Sequence, residues 1–190
     1  MGGRRHLQTQ QNEYGTPVSN NTRVFSMPDG IKIYGGFAGT EANLSERTPS
    51  VIRANPTILS GDFNNNDIVT GSGSTLSLVN YGENAYHVVA FANTTLESRL
   101  DGFTITSGSG GGGNIYGHGY GNHGGGIYLY SAGTNVTVAN CIITKNGAFY
   151  GGGMANITAS PTLINCVFDR NAASIYHGGV STIRAVLYPL

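Results

Sequence analysis

The chain has 190 residues, its 10 basic and 10 acidic side chains cancel, and only 11% of its positions are charged. This balance excludes recognition of nucleic acid through bulk charge, and no apolar run is long enough to span a membrane. With 30 glycines but 39% hydrophobic residues, the composition indicates a folded chain, and its scarcity of helix formers favours an all-β fold.

Residues 1–23 differ in character from the rest of the chain. Their opening, MGGRRHLQTQQNEYG, has no apolar core of the kind a signal peptide carries. We expect an irregular or foreign segment here, a repetitive β domain over residues 24–181 and an atypical tail over residues 182–190. The whole is expected to be part of a longer protein.

Three short apolar segments in the first half of the chain are predicted to be strands. They are GIKIYGGFAG (30–39), NPTILSGDF (55–63) and AYHVVAFAN (85–93). Ile31, Ile58 and Val88 are spaced by 27 and then 30 residues. This spacing predicts successive units of one repeat, interrupted by insertions at residues 64–84 and 107–125. Repeat proteins place such insertions on one side, often the binding side.

Two segments near the C-terminal end are near-copies of each other. They read ANCIITKNGA (139–148) and INCVFDRNAA (164–173) and align without a gap, 25 residues apart. The aligned pairs are Asn140 with Asn165, Cys141 with Cys166, Ile143 with Phe168 and Asn146 with Asn171. In an earlier, degenerate copy at residues 100–108, Phe103, Ile105 and Gly108 stand at the cysteine, Ile143 and Asn146 positions.

A repeat of this length is too short for helical hairpins and predicts a single-stranded parallel β-helix, a solenoid of about six coils of about 25 residues. Alternation in TLINCVF (162–168) indicates one strand with two faces. Those faces are Leu163, Asn165 and Val167 on one side, and Ile164, Cys166 and Phe168 on the other. Stacked coils would form inward ladders from the cysteines and from Ile143 with Phe168, and a hydrogen-bonded ladder from Asn146 and Asn171.

The motifs GGGIY (124–128), GGGM (151–154), CIITKN and CVFDRN resemble the paired GGA[ILV] and FxxN repeats of polymorphic outer-membrane proteins. Those repeats belong to the right-handed parallel β-helix superfamily that also contains pectate lyases. The resemblance covers roughly residues 24–181 and implies a right-handed helix in a secreted or bacterial cell-surface protein. Only Phe168 to Asn171 gives a true FxxN, and a third glycine replaces the alanine of the family.

The candidate catalytic residues are Arg99, Asp101 and His123. Arg99 and Asp101 flank Leu100 and would point outward together. They would belong either to a polysaccharide lyase site, where an arginine base lies beside an acidic sugar and Ca²⁺, or to a simple exposed ion pair. Glycosidases need two converging carboxylates, and the position that aligns with Asp101 in the next repeat holds Ala139. His123 lies in the glycine-rich insertion, where a solvent-exposed role is the alternative.

The run GDFNNND (61–67) offers oxygen ligands for Ca²⁺ from Asp62, Asn64, Asn66 and Asp67. The alternative is an asparagine-rich turn after a strand. Because the run has no distal bidentate Glu, a calcium site would have to recruit ligands from another part of the chain.

Four tyrosines, Tyr116, Tyr120, Tyr128 and Tyr130, are candidate ligand-binding residues, with packing in turns as the alternative. We therefore predict a secreted or cell-surface module that binds a polysaccharide, a surface glycan or a protein partner. The alternative is a carbohydrate-active enzyme (a lyase, hydrolase or esterase) with its site at the two insertions. An uncapped coil end also predicts a homodimer.

Overall fold

The computed structural model describes residues 20–111 and 121–173, which are mostly short β-strands. The strands are β1 (Phe25–Ser26), β2 (Lys32–Tyr34), β3 (Thr57–Ser60), β4 (Ile68–Thr70), β5 (Ser77–Val79), β6 (Val89–Ala92), β7 (Ser98–Asp101), β8 (Phe103–Thr106), β9 (Ile127–Gly133), β10 (Val136–Ala139), β11 (Ile142–Thr144), β12 (Gly147–Ala148), β13 (Met154–Ala159), β14 (Thr162–Ile164), β15 (Val167–Asp169) and β16 (Ala172–Ala173).

Helical structure in the described residues is limited to short segments. One α-helix, α1 (Pro49–Ala54), begins after Thr48, whose side chain accepts a hydrogen bond from the backbone N–H of Val51. The remaining helical segments are 3₁₀ turns at Asn20–Thr22, Leu44–Glu46, Gly73–Thr75 and Tyr81–Glu83. None of these helices is long and apolar enough to cross a membrane.

Three four-stranded parallel sheets make up the body of the described chain. Sheet A has the order β1-β6-β9-β13, sheet B the order β2-β7-β10-β14 and sheet C the order β3-β8-β11-β15. The chain passes through A, B and C in that order and then begins again, so consecutive strands lie in different sheets. We call one such passage a circuit. Strands β12 and β16 form a small additional parallel pair, and β4 and β5 form an antiparallel hairpin.

The described residues contain four circuits, whereas the sequence predicted about six coils. Two of the described connections add residues to a circuit without adding a strand to sheets A, B or C. They are the connection that contains α1 and the one that contains the β4–β5 hairpin.

The upstream units were wrongly aligned for the same reason. The segments around Ile31, Ile58 and Val88 contribute β2, β3 and β6, which belong to three different sheets rather than to equivalent positions of one. Their near-regular spacing comes from the lengths of the intervening connections.

The alignment of the two near-copies correctly predicts which residues pair between β11 and β15. Ile143 pairs with Phe168 on one side and with Ile105 on the other, as the alignment requires. Both cysteines are buried and free. The Asn146–Asn171 ladder is also confirmed, since the backbone N–H and the Nδ2 of Asn146 each donate to Oδ1 of Asn171 at 3.0 Å.

The predicted single strand over residues 162–168 is instead two strands in two sheets. Asn165 separates β14 from β15 and has a left-handed backbone with φ 50°, and Asn140 does the same between β10 and β11. The equivalent residue between β7 and β8 is Gly102, with φ 81°. In three of the four described circuits, one left-handed residue therefore turns the chain from sheet B into sheet C, and Asn and Gly are the residues that tolerate this conformation best. Leu163 before the break packs against the core, and so do Cys166 and Phe168 after it.

The core lies between the three sheets and is filled by aliphatic ladders. Leu100, Val138, Ile105, Ile143 and Ile127 have no exposed surface. Each ladder stacks like residues at the spacing of neighbouring strands, which buries the inner face of every circuit against the next.

Several predictions concern residues outside the described part of the chain. They include Tyr116, Tyr120, the tail at residues 182–190 and the coil end expected to form a homodimer. The proposed domain limits and the homodimer stay predictions.

Candidate functional site

Asp101 is a buried carboxylate held by three side chains. Its Oδ1 accepts hydrogen bonds from Nη2 of Arg47 at 2.7 Å and from Nδ2 of Asn140 at 2.9 Å. Its Oδ2 accepts from Nη2 and Nε of Arg99 at 2.6 and 2.9 Å. The side chains of Asp101 and Arg47 are 3% and 4% exposed, whereas that of Arg99 is 26% exposed. The carboxylate therefore has no face open to a substrate.

Arg47 comes from the connection between β2 and β3, just before α1. Its guanidinium also donates to the backbone oxygens of Gly35 and Asp101, and it lies over the rings of Tyr34 and Phe37 at 5.5 and 5.3 Å. The cluster thus fastens that connection to the end of β7. Sequence reasoning missed Arg47, because no local pattern shows that it returns to Asp101.

His123 is not part of the ion cluster around Asp101. It pairs with Tyr150 in an isolated parallel bridge, and the two rings stack with their centroids 4.6 Å apart. Along the circuit, β8 and the start of the second insertion separate it from Asp101. The three predicted catalytic residues are thus divided between an ion cluster in sheet B and an aromatic pair just ahead of sheet A.

The tyrosines of this region differ in how far they are buried. Tyr128 is 1% exposed and stacks on the buried ring of His87 at 4.6 Å, so its prediction as a ligand-binding residue needs correction. Burial lowers the pKa of His87 to about 4, although its Nδ1 lies 3.0 Å from the backbone oxygen of Gly124. Tyr130 is half-buried, with its ring 6.5 Å from that of Tyr128. Tyr150 is the exposed tyrosine of this region, at 51%.

The asparagine-rich run forms part of an acidic cluster at the base of the β4–β5 hairpin. Oxygens of Asp62, Asp67 and Glu83 all lie within 4.8 Å of one another. The side chains of Asn64 and Asn66 are exposed, and it is their backbone N–H groups that join the cluster, by donating to Oδ1 of Asp62 at 3.1 and 3.3 Å. Glu83, from the far side of the hairpin, supplies the acid that the run itself lacks.

Asn84 connects this cluster to the body of the fold. It has no exposed surface, and its Nδ2 donates to Oδ2 of Asp67 and to the backbone oxygen of Ser107, each at 2.9 Å. Burial raises the pKa of Asp67, and the charges of Asp62 and Glu83 add to that rise. Three buried oxygens in and beside this cluster have no hydrogen-bond donor: Oδ1 of Asp67, Oε1 of Glu83 and Oδ1 of Asn84.

A small groove of about 80 Å³ lies elsewhere, between α1 and the outer face of sheet C. Its walls include Pro49, Ile52 and Pro56 on the helix side and Ile142 and Val167 on the sheet side. It is mainly apolar and contains none of the clustered acids.

No family model, no curated protein and no solved structure matches the chain. The arrangement of its own side chains therefore has to carry any functional argument.

Proposed function

We propose that the chain is a right-handed parallel β-helix module of a secreted or cell-surface protein, and that it binds a glycan without transforming it. The architecture is supported by four circuits with parallel pairing between equivalent strands in all three sheets. The right hand follows from the strong preference of parallel crossover connections for that hand. The secreted or surface setting rests on the resemblance of its glycine and asparagine motifs to bacterial surface proteins.

The observation that carries the binding proposal is an aromatic pair formed by His123 and Tyr150, which we call the aromatic platform. Tyr150 is 51% exposed. Tyr150 is supported by its stack on His123 in the preceding circuit, so one conformation of the ring is fixed before a ligand arrives. A fixed ring offers an apolar face to the C–H groups of a sugar at low entropic cost.

The absence of catalysis is supported by the ion cluster at Asp101. A general acid or base has to reach the proton that it transfers, and the carboxylate of Asp101 is enclosed by Arg47, Arg99 and Asn140. Its position favours a structural role in holding the α1 connection.

The test is binding of the purified chain to a glycan array, followed by titration calorimetry with the best glycan. Tyr150→Ala is expected to weaken binding at least tenfold. Phe37→Ala is the matched control, because Phe37 is an aromatic residue of similar exposure, at 43%, outside the platform. If the chain binds no glycan on the array, or if Tyr150→Ala and the parent chain bind with equal affinity, the proposal is contradicted.

The second candidate is a carbohydrate-active enzyme, and the acidic cluster favours it. Two carboxyl groups about 5 Å apart, one of them with a raised pKa, are what a retaining glycosidase requires, and the oxygens of Asp62, Asp67 and Glu83 lie within 4.8 Å. Turnover on a panel of polysaccharides and acyl esters, lost in Asp67→Asn, would establish this function. No turnover on the panel would exclude it for those substrates.

A further inference from the structure

Three acidic side chains meet at the base of the hairpin without a basic partner. The ion pairs in the described part of the chain involve Glu97, Asp101 and Asp169, and none involves Asp62, Asp67 or Glu83. Arg23 lies over the ring of Phe63 at 5.5 Å but forms no ion pair with these acids. Negative charges this close repel one another, and a bound cation would offset that repulsion.

A second observation points to the same conclusion. Asn84 has no exposed surface, and its amide reaches into the cluster through the 2.9 Å hydrogen bond from Nδ2 to Oδ2 of Asp67. Its Oδ1 has no donor, and neither has Oδ1 of Asp67 or Oε1 of Glu83, although all three atoms are buried. Buried oxygens without a donor are destabilising, and a coordinated cation satisfies several of them at once.

We propose that Asp62, Asp67, Glu83 and Asn84 form a Ca²⁺ site that ties the two ends of the β4–β5 hairpin together. The donor set consists of oxygens alone, which suits a hard cation. Ligands on opposite sides of Ca²⁺ are separated by about 4.8 Å, twice the typical Ca–O distance. One ion can therefore contact all three carboxylates, which lie within 4.8 Å of one another, without a change in the backbone. Water molecules complete the six to eight ligands that Ca²⁺ takes.

The place of this site in the fold gives the ion a structural effect. Asp62 and Asp67 precede β4, and Glu83 and Asn84 follow β5, so the ion closes the hairpin at its base. The hairpin has two strands and joins none of the three parallel sheets. A two-stranded hairpin is marginally stable by itself. Because Asn84 also donates to the backbone oxygen of Ser107, the closed base is fixed to the end of sheet C.

The binding test uses the full chain after removal of metal with EGTA and buffer exchange, with CaCl₂ and MgCl₂ titrated separately by calorimetry. We expect one Ca²⁺ per chain, with a dissociation constant of about 10⁻⁵ to 10⁻³ M and weaker binding of Mg²⁺, which demands a stricter octahedral geometry. Asp67→Asn and Glu83→Gln are each expected to weaken Ca²⁺ binding at least tenfold. Asp169→Asn, which removes an acid paired with Arg170 elsewhere, should change it less than twofold.

Thermal melts separate lost binding from lost folding. Without metal, Asp67→Asn should melt no lower than the parent chain, because it removes one of three repelling charges. At a CaCl₂ concentration that just saturates the parent, the parent should gain more stability than Asp67→Asn. Hydrogen exchange of residues 68–79 should slow with Ca²⁺. The proposal is overturned if the parent binds no Ca²⁺, if Asp67→Asn binds it equally well, if Mg²⁺ binds as tightly, or if the added protection lies outside the hairpin. None of these outcomes depends on glycan binding.

Discussion

Replacing Asp101 with Asn tests whether this carboxylate is a structural counter-charge rather than a catalytic group. In the parent, the buried guanidinium of Arg47 is neutralised by Asp101 at 2.7 Å. The amide of the variant still offers an oxygen to Arg47 but removes the negative charge. Arg47 would then be a buried cation without a counter-ion, and Asn140 would lose the charged acceptor of its Nδ2.

The expected cost follows from the burial of the two partners. Removing one member of a buried ion pair typically costs about 3–5 kcal/mol, because the other charge stays out of water. Since Asn keeps one acceptor, we expect about 3 kcal/mol for Asp101→Asn and a larger loss for Asp101→Ala. Arg99→Ala should cost about 1 kcal/mol or less, because the Arg99 side chain is 26% exposed and its partner retains Arg47.

The assay is urea unfolding followed by circular dichroism at pH 7, with Arg47→Met and the double variant included to measure the coupling of the pair. The double variant should be more stable than the sum of the two single losses predicts. An Asp101→Asn chain within 1 kcal/mol of the parent, or an Arg99→Ala chain as unstable as Asp101→Asn, would refute the reasoning.

Three further predictions follow from other buried groups. The folded pKa of His87 is about 4, below its unfolded value of about 6.5. The unfolded state therefore binds the proton more tightly, and about 3 kcal/mol of stability should be lost as pH falls from 6.5 to 4. His87→Phe should flatten this part of the pH dependence in urea unfolding, and an unchanged slope would contradict it. Asn146→Ala should cost about 3 kcal/mol, because the backbone N–H of Gly108 and the backbone oxygens of Ile105 and Thr144 lose a buried partner; a melting temperature equal to that of the parent would count against this. Gly125→Ala should unfold or strongly destabilise the chain, since its Cβ would overlap a backbone oxygen, whereas Gly82→Ala has open space and should melt like the parent.

The register of the repeat could be predicted from sequence because neighbouring circuits stack equivalent residues. A core position that is cysteine or isoleucine in one circuit is cysteine or phenylalanine in the next, and the asparagine ladder needs the same amide at the same place. The near-copies therefore gave the pairing of Ile143 with Phe168 directly. Even the degenerate copy was placed correctly, because Ile105 faces the same core as Ile143.

The limits of the strands could not be predicted in the same way. Asn165 has a left-handed backbone and splits one alternating stretch into two strands. The alternation gave no sign of this break, because alternation records hydrophobicity and not backbone conformation. Equivalent corners at Lys145 and Arg170 also have φ near 50°, and neither residue type indicates such a turn from sequence.

The candidate sites escaped prediction where they depend on contacts between distant segments. Asp62 and Asp67 could be proposed as calcium ligands from sequence because they lie in one short run. Glu83 and Asn84 reach the cluster only after the hairpin has formed, and Arg47 reaches Asp101 across 54 residues. The local sequence around these residues does not show which distant segment of the chain they contact.

The position of charge in this fold follows from the stacking of circuits. An acid in a ladder has neighbours about 4.8 Å away on both sides, so a repeated acid would meet its own copies and a single acid needs a counter-charge. Asp101 illustrates the second case, since its ladder neighbours are Tyr34 and Ala139 and its charge is met by Arg47 from a connection outside the sheets. Residues in the connections are not stacked on equivalent residues of other circuits. Three acids can therefore lie close together beside the hairpin. In a chain of this kind, acids that belong to the repeat are best tested by stability, and acids grouped at the ends of a connection by ligand binding.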